Sequence, residues 1–373
     1  MATSRGYLAN IYHYIQRRPV VSLCAGCGAY ATGHAAATGE LPFSFREKTP
    51  VLNISTFTPY TLIAKHQISP SSSIFILRPP SSEDAVQQLK GVWTSSTSLW
   101  SVQAKQPQLQ IGREYTPLPP THVLSSSSSQ MSLLREDKDG GSVAADSDSD
   151  IHLLIRREKN GEMTTYLDAL PLEATVHLRG PYQDVKIPEH VDEVLFLAGG
   201  TGISPALQVA HIMSQRTGAK VHILWANRRR DECVGAPIEL VPASQTGVLS
   251  SLSNIWGRSN NTATSVVNGN EKGLLVQVLD EMKSRVPPGM FEIQYFVDED
   301  DSFIRSREVK KILAGKPGSD KSPGAKLIMV SGPEGFVDYW AGRKRLEEGR
   351  ERQGPLGGRL GQMELSGWKV WKL

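Results

Sequence analysis

The segment Ala198–Pro205, AGGTGISP, sets Gly199, Gly200 and Gly202 around Thr201, between an apolar run and a helical pattern. Glycines let backbone N–H groups come close to a ligand, and the helix they open carries partial positive charge and unpaired donors. Thr201 adds a hydroxyl, and Pro205 is tolerated in a first helical turn. A phosphate suits such a loop. The spacing is not G-x-G-x-x-G, and a plain tight turn has the same composition. Its place at the C-terminal end of the first parallel strand favours the ligand reading. SGPEGF, Ser331–Phe336, repeats the arrangement at the last strand: Gly332 and Pro333 break it, and Gly335 permits close backbone approach. NGEMTTYL, Asn160–Leu167, sets the turn residue Gly161 before Met163 and Thr164. Exposed N–H groups there suit a phosphate, and simple helix capping explains the segment equally well. IGREYTPL, Ile111–Leu118, places a cation, an aromatic ring and a hydroxyl close together at Arg113, Tyr115 and Thr116. They read either as a surface strand end or as a row along a flat, phosphorylated ligand.

Other chemistry finds less support. The histidines are scattered without ligand spacing, so no metal site is expected. No Ser/His/Asp set has a recognisable elbow. The three cysteines, Cys24, Cys27 and Cys233, exclude a disulfide framework, and one C-x-x-C is weak support for metal or redox work. A net charge of +3 without a dense basic, aromatic-bearing patch points away from nucleic acid.

The elements that must position these residues fall into two rhythms. YTLIAKHQI, SIFILRP, SLWSVQAK, QLQIGREYTP, IHLLIRRE and ATVHLRGPY are short, β-rich runs separated by turn residues. They predict a small antiparallel barrel, with Leu109 and Ile111 turned inward. From Asp192 strand and helix alternate. EVLFLAGG, VHILWAN, FEIQYFV and KLIMVSG are strands; ISPALQVAHIMSQ, GLLVQVLDEMKS, SREVKKILAG and PEGFVDYWAGRKRL are helices. That alternation implies βαβ units and a parallel sheet. The chain of 373 residues has room for both, with a boundary near Pro188.

Taken in order, these motifs resemble the ferredoxin–NADP reductase superfamily, and within it the cytochrome b5 reductase branch. The resemblance runs from about Pro50 to Arg345. It implies an FAD-binding barrel followed by a Rossmann-like NAD(P)-binding domain. The family's R-x-Y-[ST] motif falls on Arg113, Tyr115 and Thr116: the arginine pairs with the FAD pyrophosphate, the tyrosine packs along ribityl and isoalloxazine, and the hydroxyl faces flavin N5. Its second flavin loop matches Gly161, Met163 and Thr164, and the R-G-P that closes the barrel matches Arg179, Gly180 and Pro181. Gly199 to Pro205 match the loop that binds the pyrophosphate of NADH or NADPH, and Gly332, Pro333 and Gly335 leave room for the nicotinamide. The family's last loop commonly begins Cys-Gly, its thiol near the nicotinamide. Here Ser331 stands there, which implies slower or differently tuned hydride transfer. Arg156, Arg157 and Glu158 occupy a region where the family often offers an aromatic.

The ends narrow the resemblance. Residues 1–46 begin without an acid and with Arg5, Arg17 and Arg18, like a mitochondrial presequence. Residues 19–37 are uncharged and long enough to span a bilayer, as an anchor or as part of a cleaved targeting segment. The barrel is expected over 47–188 with a disordered insertion at 121–150, and the nucleotide domain over 189–350 with a flexible insertion at 244–270. A tail at 351–373 bears Trp368 and Trp371, placed either over the flavin or in a strand or helix end packed on the core. With these features the chain looks like the fungal mitochondrial cytochrome c import factor flavoproteins. That implies an inner-membrane reductase acting on haem, a c-type cytochrome or the cytochrome c assembly machinery. The resemblance leaves an ordinary NADH-cytochrome b5 reductase and a non-catalytic flavin-binding assembly factor as alternatives. Asp231 or Glu232 suits the free ribose 2′-hydroxyl of NADH, and Arg228, Arg229 and Arg230 suit the 2′-phosphate of NADPH. The acidic run Asp298–Asp301 reads as a solvated loop or as a steering patch for a basic haem protein.

Overall fold

The computed structural model describes residues 51–80, 82–95, 97–126, 149–237, 272–314 and 326–373. The expected targeting segment at 1–46 with residues 19–37, Cys24 and Cys27, the whole expected insertion at 244–270 and most of that at 121–150 lie outside them. No helix among the described residues is long and apolar enough to cross a membrane.

Six strands form an antiparallel sheet: β1 (Thr58–Ser69), β2 (Ser72–Arg78), β3 (Ser98–Gln106), β4 (Ile111–Tyr115), β5 (Ile151–Arg156) and β6 (Thr175–Lys186), in the order β4-β3-β6-β1-β2-β5. A bridge between Pro117 and Leu153, with Leu118 N–H donating to His152 O at 2.9 Å, joins the two edges and closes the barrel. Inward-facing side chains such as Leu62, Phe75, Val102 and Leu178 alternate along the strands and fill it. One strand expectation changes. Leu109 is 56% exposed, because Gln110 at φ 56 turns the chain ahead of Ile111 and the strand begins only there. A helix absent from the sequence reading, α1 (Ser82–Ser95), joins β2 to β3, with Ala85 and Leu89 buried on one face.

The second sheet is parallel, with β7 (Glu193–Gly199), β8 (Lys220–Asn227), β9 (Phe291–Val297), β10 (Lys326–Ser331) and β13 (Trp368–Lys372) in the order β13-β10-β7-β8-β9. β7 is buried almost end to end, as a strand covered on both faces must be. Helices α2 (Glu162–Ala169), α3 (Ile203–Ser214), α4 (Leu274–Ser284), α5 (Ser306–Ala314) and α6 (Glu334–Ala341) complete the order. The last helix stops at Ala341, where Gly342 takes φ 78, and the expected continuation through Leu346 is instead a hairpin of β11 (Arg345–Glu347) and β12 (Arg350–Arg352). One apolar core runs through both sheets, joining Ile76, Leu99 and Leu154 of the barrel to Phe196 and Trp225 of the parallel sheet and Leu207 of α3.

Candidate functional site

The C-terminal ends of β7 and β10 meet edge to edge. Gly200 sits at φ 54, and a methyl group on it would meet the Arg156 guanidinium at 2.9 Å. A Cβ on Gly202 would run into the Ser331 carbonyl, and one on Gly332, at φ 152, would meet Gly199 Cα at 3.0 Å. Only glycine allows these approaches, so the two loops form one glycine-floored crevice. The strand-to-helix junctions open helices α3 and α6 beside it, with Pro333 at the N-terminus of α6.

Above this crevice lies a cleft of ≈ 410 Å³. Thr116 from the end of β4, Pro205 from α3, Ser331 from β10 and Trp371 from β13 all line it. The odd spacing of the two C-terminal tryptophans puts them on opposite faces of β13: Trp368 is 7% exposed in the core, and Trp371 is 37% exposed at the cleft. Gln208 of α3 fixes the barrel side of the wall. Its amide accepts from Trp100 N–H at 3.0 Å and donates to Trp100 O at 3.0 Å and Pro117 O at 2.9 Å.

The remaining sequence-predicted residues lie as follows. Arg113 is exposed, and its guanidinium donates only to Gly112 O, at 3.0 Å; among the described residues it has no carboxylate partner. The Tyr115 ring packs against the barrel core, its hydroxyl is buried without a partner among the described residues, and burial pushes the phenol up to about 12 against the opposing charge of Arg113. Gly161 precedes α2, which has no side-chain cap, so its first N–H groups stay open for an anion. Thr164 donates to Gly161 O at 3.2 Å and accepts from Glu158 N–H at 3.1 Å, closing the loop, while Met163 lies in the barrel core. An exposed guanidinium, an uncapped helix start and a glycine-floored crevice are the donor set that a dinucleotide with a pyrophosphate needs, so FAD and a pyridine nucleotide fit the residues present.

Beyond β8 most of the charges are spoken for. Arg229 pairs with Asp231 at 3.0 Å and Arg230 with Asp300 at 2.8 Å. Glu232 is buried and pairs with Arg156 of β5 at 2.5 Å, an ion pair that bridges the two sheets. Burial still pushes the Glu232 carboxyl up, against the pull of Arg156. Among the described residues Arg228 is the one arginine of its run without an ion-pair partner. Arg230 also holds Glu299, its backbone N–H donating to the carboxylate at 2.5 Å, so much of the acidic run is tied down.

Sequence reasoning missed several cleft residues. Asp184, Ser101, Lys344 just ahead of β11, and Glu351 and Arg352 of β12 also line the cleft. Asp184 directly precedes the buried Val185 in a strand of period two, and its placement there depends on a bulge that no composition signal announces.

A model of the oxidoreductase FAD-binding domain matches residues 141–187. The cytochrome c mitochondrial import factor CYC2 of Saccharomyces cerevisiae is 25% identical over 88% of this chain and 86% of its own length. The NADH-cytochrome b5 reductase 2 of Candida glabrata is 27% identical over 60% of this chain, which spans 61% of that protein. Among solved structures, the cytochrome b5 reductase domain of Ulva prolifera nitrate reductase superposes with a TM-score of 0.44 at 16% identity, covering 78% of this chain and 92% of that one.

Proposed function

We propose, from the premise that the chain carries an FAD-binding oxidoreductase domain of the ferredoxin reductase/cytochrome b5 reductase-like fold, that it is an NAD(P)H-dependent flavoprotein reductase delivering electrons singly to haem or a haem protein in mitochondrial cytochrome c maturation. The observation that carries this reading is the convergence of Thr116, Pro205, Ser331 and Trp371 on one cleft between barrel and parallel sheet. The similarity to the yeast import factor over most of both chains supports the cytochrome c setting.

Bound FAD supplies acceptance of a hydride and release of single electrons. The chain supplies binding, orientation and shielding. Arg113 neutralises the FAD diphosphate, and the uncapped start of α2 offers it N–H donors. Thr116 presents its hydroxyl at the cleft wall. Gly199, Gly200, Thr201 and Gly202 take the nucleotide pyrophosphate at the start of α3. Gly332, Pro333 and Gly335 keep the nicotinamide side open, with Ser331 as the polar contact. Trp371 shields the cleft from the C-terminal side. With Asp231 and Glu232 held in ion pairs, and Arg228 in none among the described residues, the arginine run supports the 2′-phosphate of NADPH over the bare ribose of NADH.

The test is an absorption spectrum of the purified full chain before and after NADH, then NADPH. A flavin band bleached by nucleotide and restored by an added haem protein is the expected result. Ser331 in place of cysteine favours a second reading, a flavin-binding assembly factor without turnover. A yellow protein that neither nucleotide bleaches would select it.

A further inference from the structure

The pairing of β3 with β6 slips at one place. Leu99 faces Val185 and Trp100 faces Gln183, so Asp184 is the extra residue of a bulge. A bulge turns one side chain out of the strand's alternation. Here it turns Asp184 into the cleft shared with Thr116, Ser331 and Trp371, where Ser101 Oγ donates to its Oδ1 at 2.9 Å. Ser101 lies on the strand that Gln208 clamps, next to Trp100. The carboxyl is at the rim, open to solvent on one side and crowded by protein on the other.

Resting on the reductase reading above, we infer that Asp184 is the proton-exchange group of this cleft, taking up the proton that single-electron delivery leaves behind. A hydride brings two electrons and one proton from the reduced nicotinamide. Two haem irons take one electron each and no proton. The remaining proton bonds to a carboxylate oxygen of Asp184, and that O–H bond then breaks to a water at the rim, restoring the carboxylate. No further oxidant or reductant is needed.

The environment suits this work. Burial, with a contribution from nearby Glu114, pushes the Asp184 carboxyl up to about 6, while the Ser101 hydrogen bond and Lys344 pull it down. An acid poised there both accepts and releases protons near neutrality. Glu351 and Arg352 from β12 and Lys372 from β13 are the other charged side chains on the cleft wall. Lys372 Nζ is engaged by Arg343 O at 3.0 Å and Pro355 O at 2.8 Å, and points its charge into backbone carbonyls.

The experiment uses the full chain loaded with FAD and reduced by dithionite, so that it does not depend on nucleotide turnover. Two quantities are followed against pH: the flavin midpoint potential, and the rate of reoxidation by ferricyanide. The wild type should show an inflection in both at about 6. Asp184→Asn should lose the inflection and reoxidise ~10-fold more slowly above it, and Asp184→Glu should restore it. Ser101→Ala, which keeps the carboxyl and loses the bond that lowers its pKa, should move the inflection to higher pH, and it serves where Asp184→Asn folds poorly. An Asp184→Asn protein that keeps the wild-type inflection in both quantities overturns the assignment and leaves the reductase reading standing. Dithionite-reduced protein with the inflection but no response to NADH or NADPH sinks the reductase reading and keeps the proton-exchange role. A chain that takes up no FAD overturns both.

Discussion

Gln208 and Trp100 pair like two strand residues. The side-chain amide of Gln208, on α3, accepts from the Trp100 N–H and donates to the Trp100 C=O, each at 3.0 Å, and reaches Pro117 O at 2.9 Å. One side chain thus ties the helix after the glycine loop to the backbone beside Ser101 and Thr116. Gln208→Leu strands one buried N–H and two buried carbonyls, each costing about 1–3 kcal/mol. We expect a large fall in melting temperature together with loss of retained FAD. Gln208→Glu should fare no better, because a carboxylate cannot donate to two carbonyls. A melting curve matching wild type for either variant removes Gln208 from this role.

The parallel sheet was legible because strand-like runs alternate with helical ones, two of them, β7 and β10, being apolar runs that end in glycine, and α3 because its apolar residues recur at helical spacing. The glycine loops were legible for the same steric reason that the structure shows: Gly202 has the Ser331 backbone where a side chain would be. What escaped was local and contextual. The α1 segment mixes Gly91 and polar residues with only a narrow apolar face at Ala85 and Leu89. The end of α6 depended on Gly342 adopting positive φ, which a helical pattern through Arg343–Leu346 conceals. Asp184 and the β11–β12 hairpin reach the cleft only through tertiary placement, and strand alternation gave no sign of either.

Glycine requirements divide sharply by position. Gly202→Ala should push the two loops apart, costing about 1–3 kcal/mol by overpacking and abolishing any bleaching by pyridine nucleotide while the flavin band persists. Gly335, in α6, has nothing within 4 Å of an added Cβ. Gly335→Ala should therefore stabilise the chain by about 0.4–1 kcal/mol through the unfolded state. Thermal melts of the unliganded chain check both, with a nucleotide titration for Gly202→Ala, and equal thermal behaviour of the two variants contradicts the geometry.

Arg113 carries little of the fold. It is exposed, and its guanidinium meets only the carbonyl of the preceding residue. Arg113→Ala should leave the stability of the apoprotein within about 0.5 kcal/mol of wild type, yet lower FAD affinity ~10-fold or more through loss of a charge-assisted bond. Lysine should recover part of this, since it restores charge without the planar fork. Fluorescence titration of apoprotein with FAD measures the effect; unchanged affinity in the alanine variant would place the diphosphate elsewhere.

Lys372 is buried, and its ammonium is held by Arg343 O and Pro355 O, which flank the β11–β12 hairpin. Gln353 grips the same residue through its backbone, donating to Lys372 O at 2.9 Å and accepting from Lys372 N–H at 2.8 Å. The C-terminal strand and the hairpin are therefore one unit. Lys372→Met keeps the packing and strands two carbonyls, at about 1–3 kcal/mol. Its amides at 343–355 should exchange faster with deuterium than in wild type, while those of β7 keep their rate, and Trp371 fluorescence should report a wetter ring. Protection of that segment equal to wild type would show that the lysine does not hold it.

At the far end of the parallel sheet, Lys326 Nζ of β10 lies 3.1 Å from Glu193 Oε2 of β7, and His222 Nε2 of β8 lies 3.6 Å from Glu193 Oε1. Burial pushes the Glu193 carboxyl up, but the adjacent Lys326 and His222 side chains outweigh it and hold the acid at about 2. A free glutamate titrates near about 4.3. The unfolded chain thus binds this proton more readily than the fold does, and the stability it brings is complete above the unfolded value and lost as pH falls through about 2. Lys326→Met should cost about 1–3 kcal/mol at neutral pH, and the gap to wild type should close as the carboxyl protonates. Urea unfolding of both proteins from neutral into acid measures that gap. A difference that stays constant across the range would mean that the lysine acts through its packing on Trp368, whose ring centre lies 5.2 Å from Nζ, and not through the carboxylate.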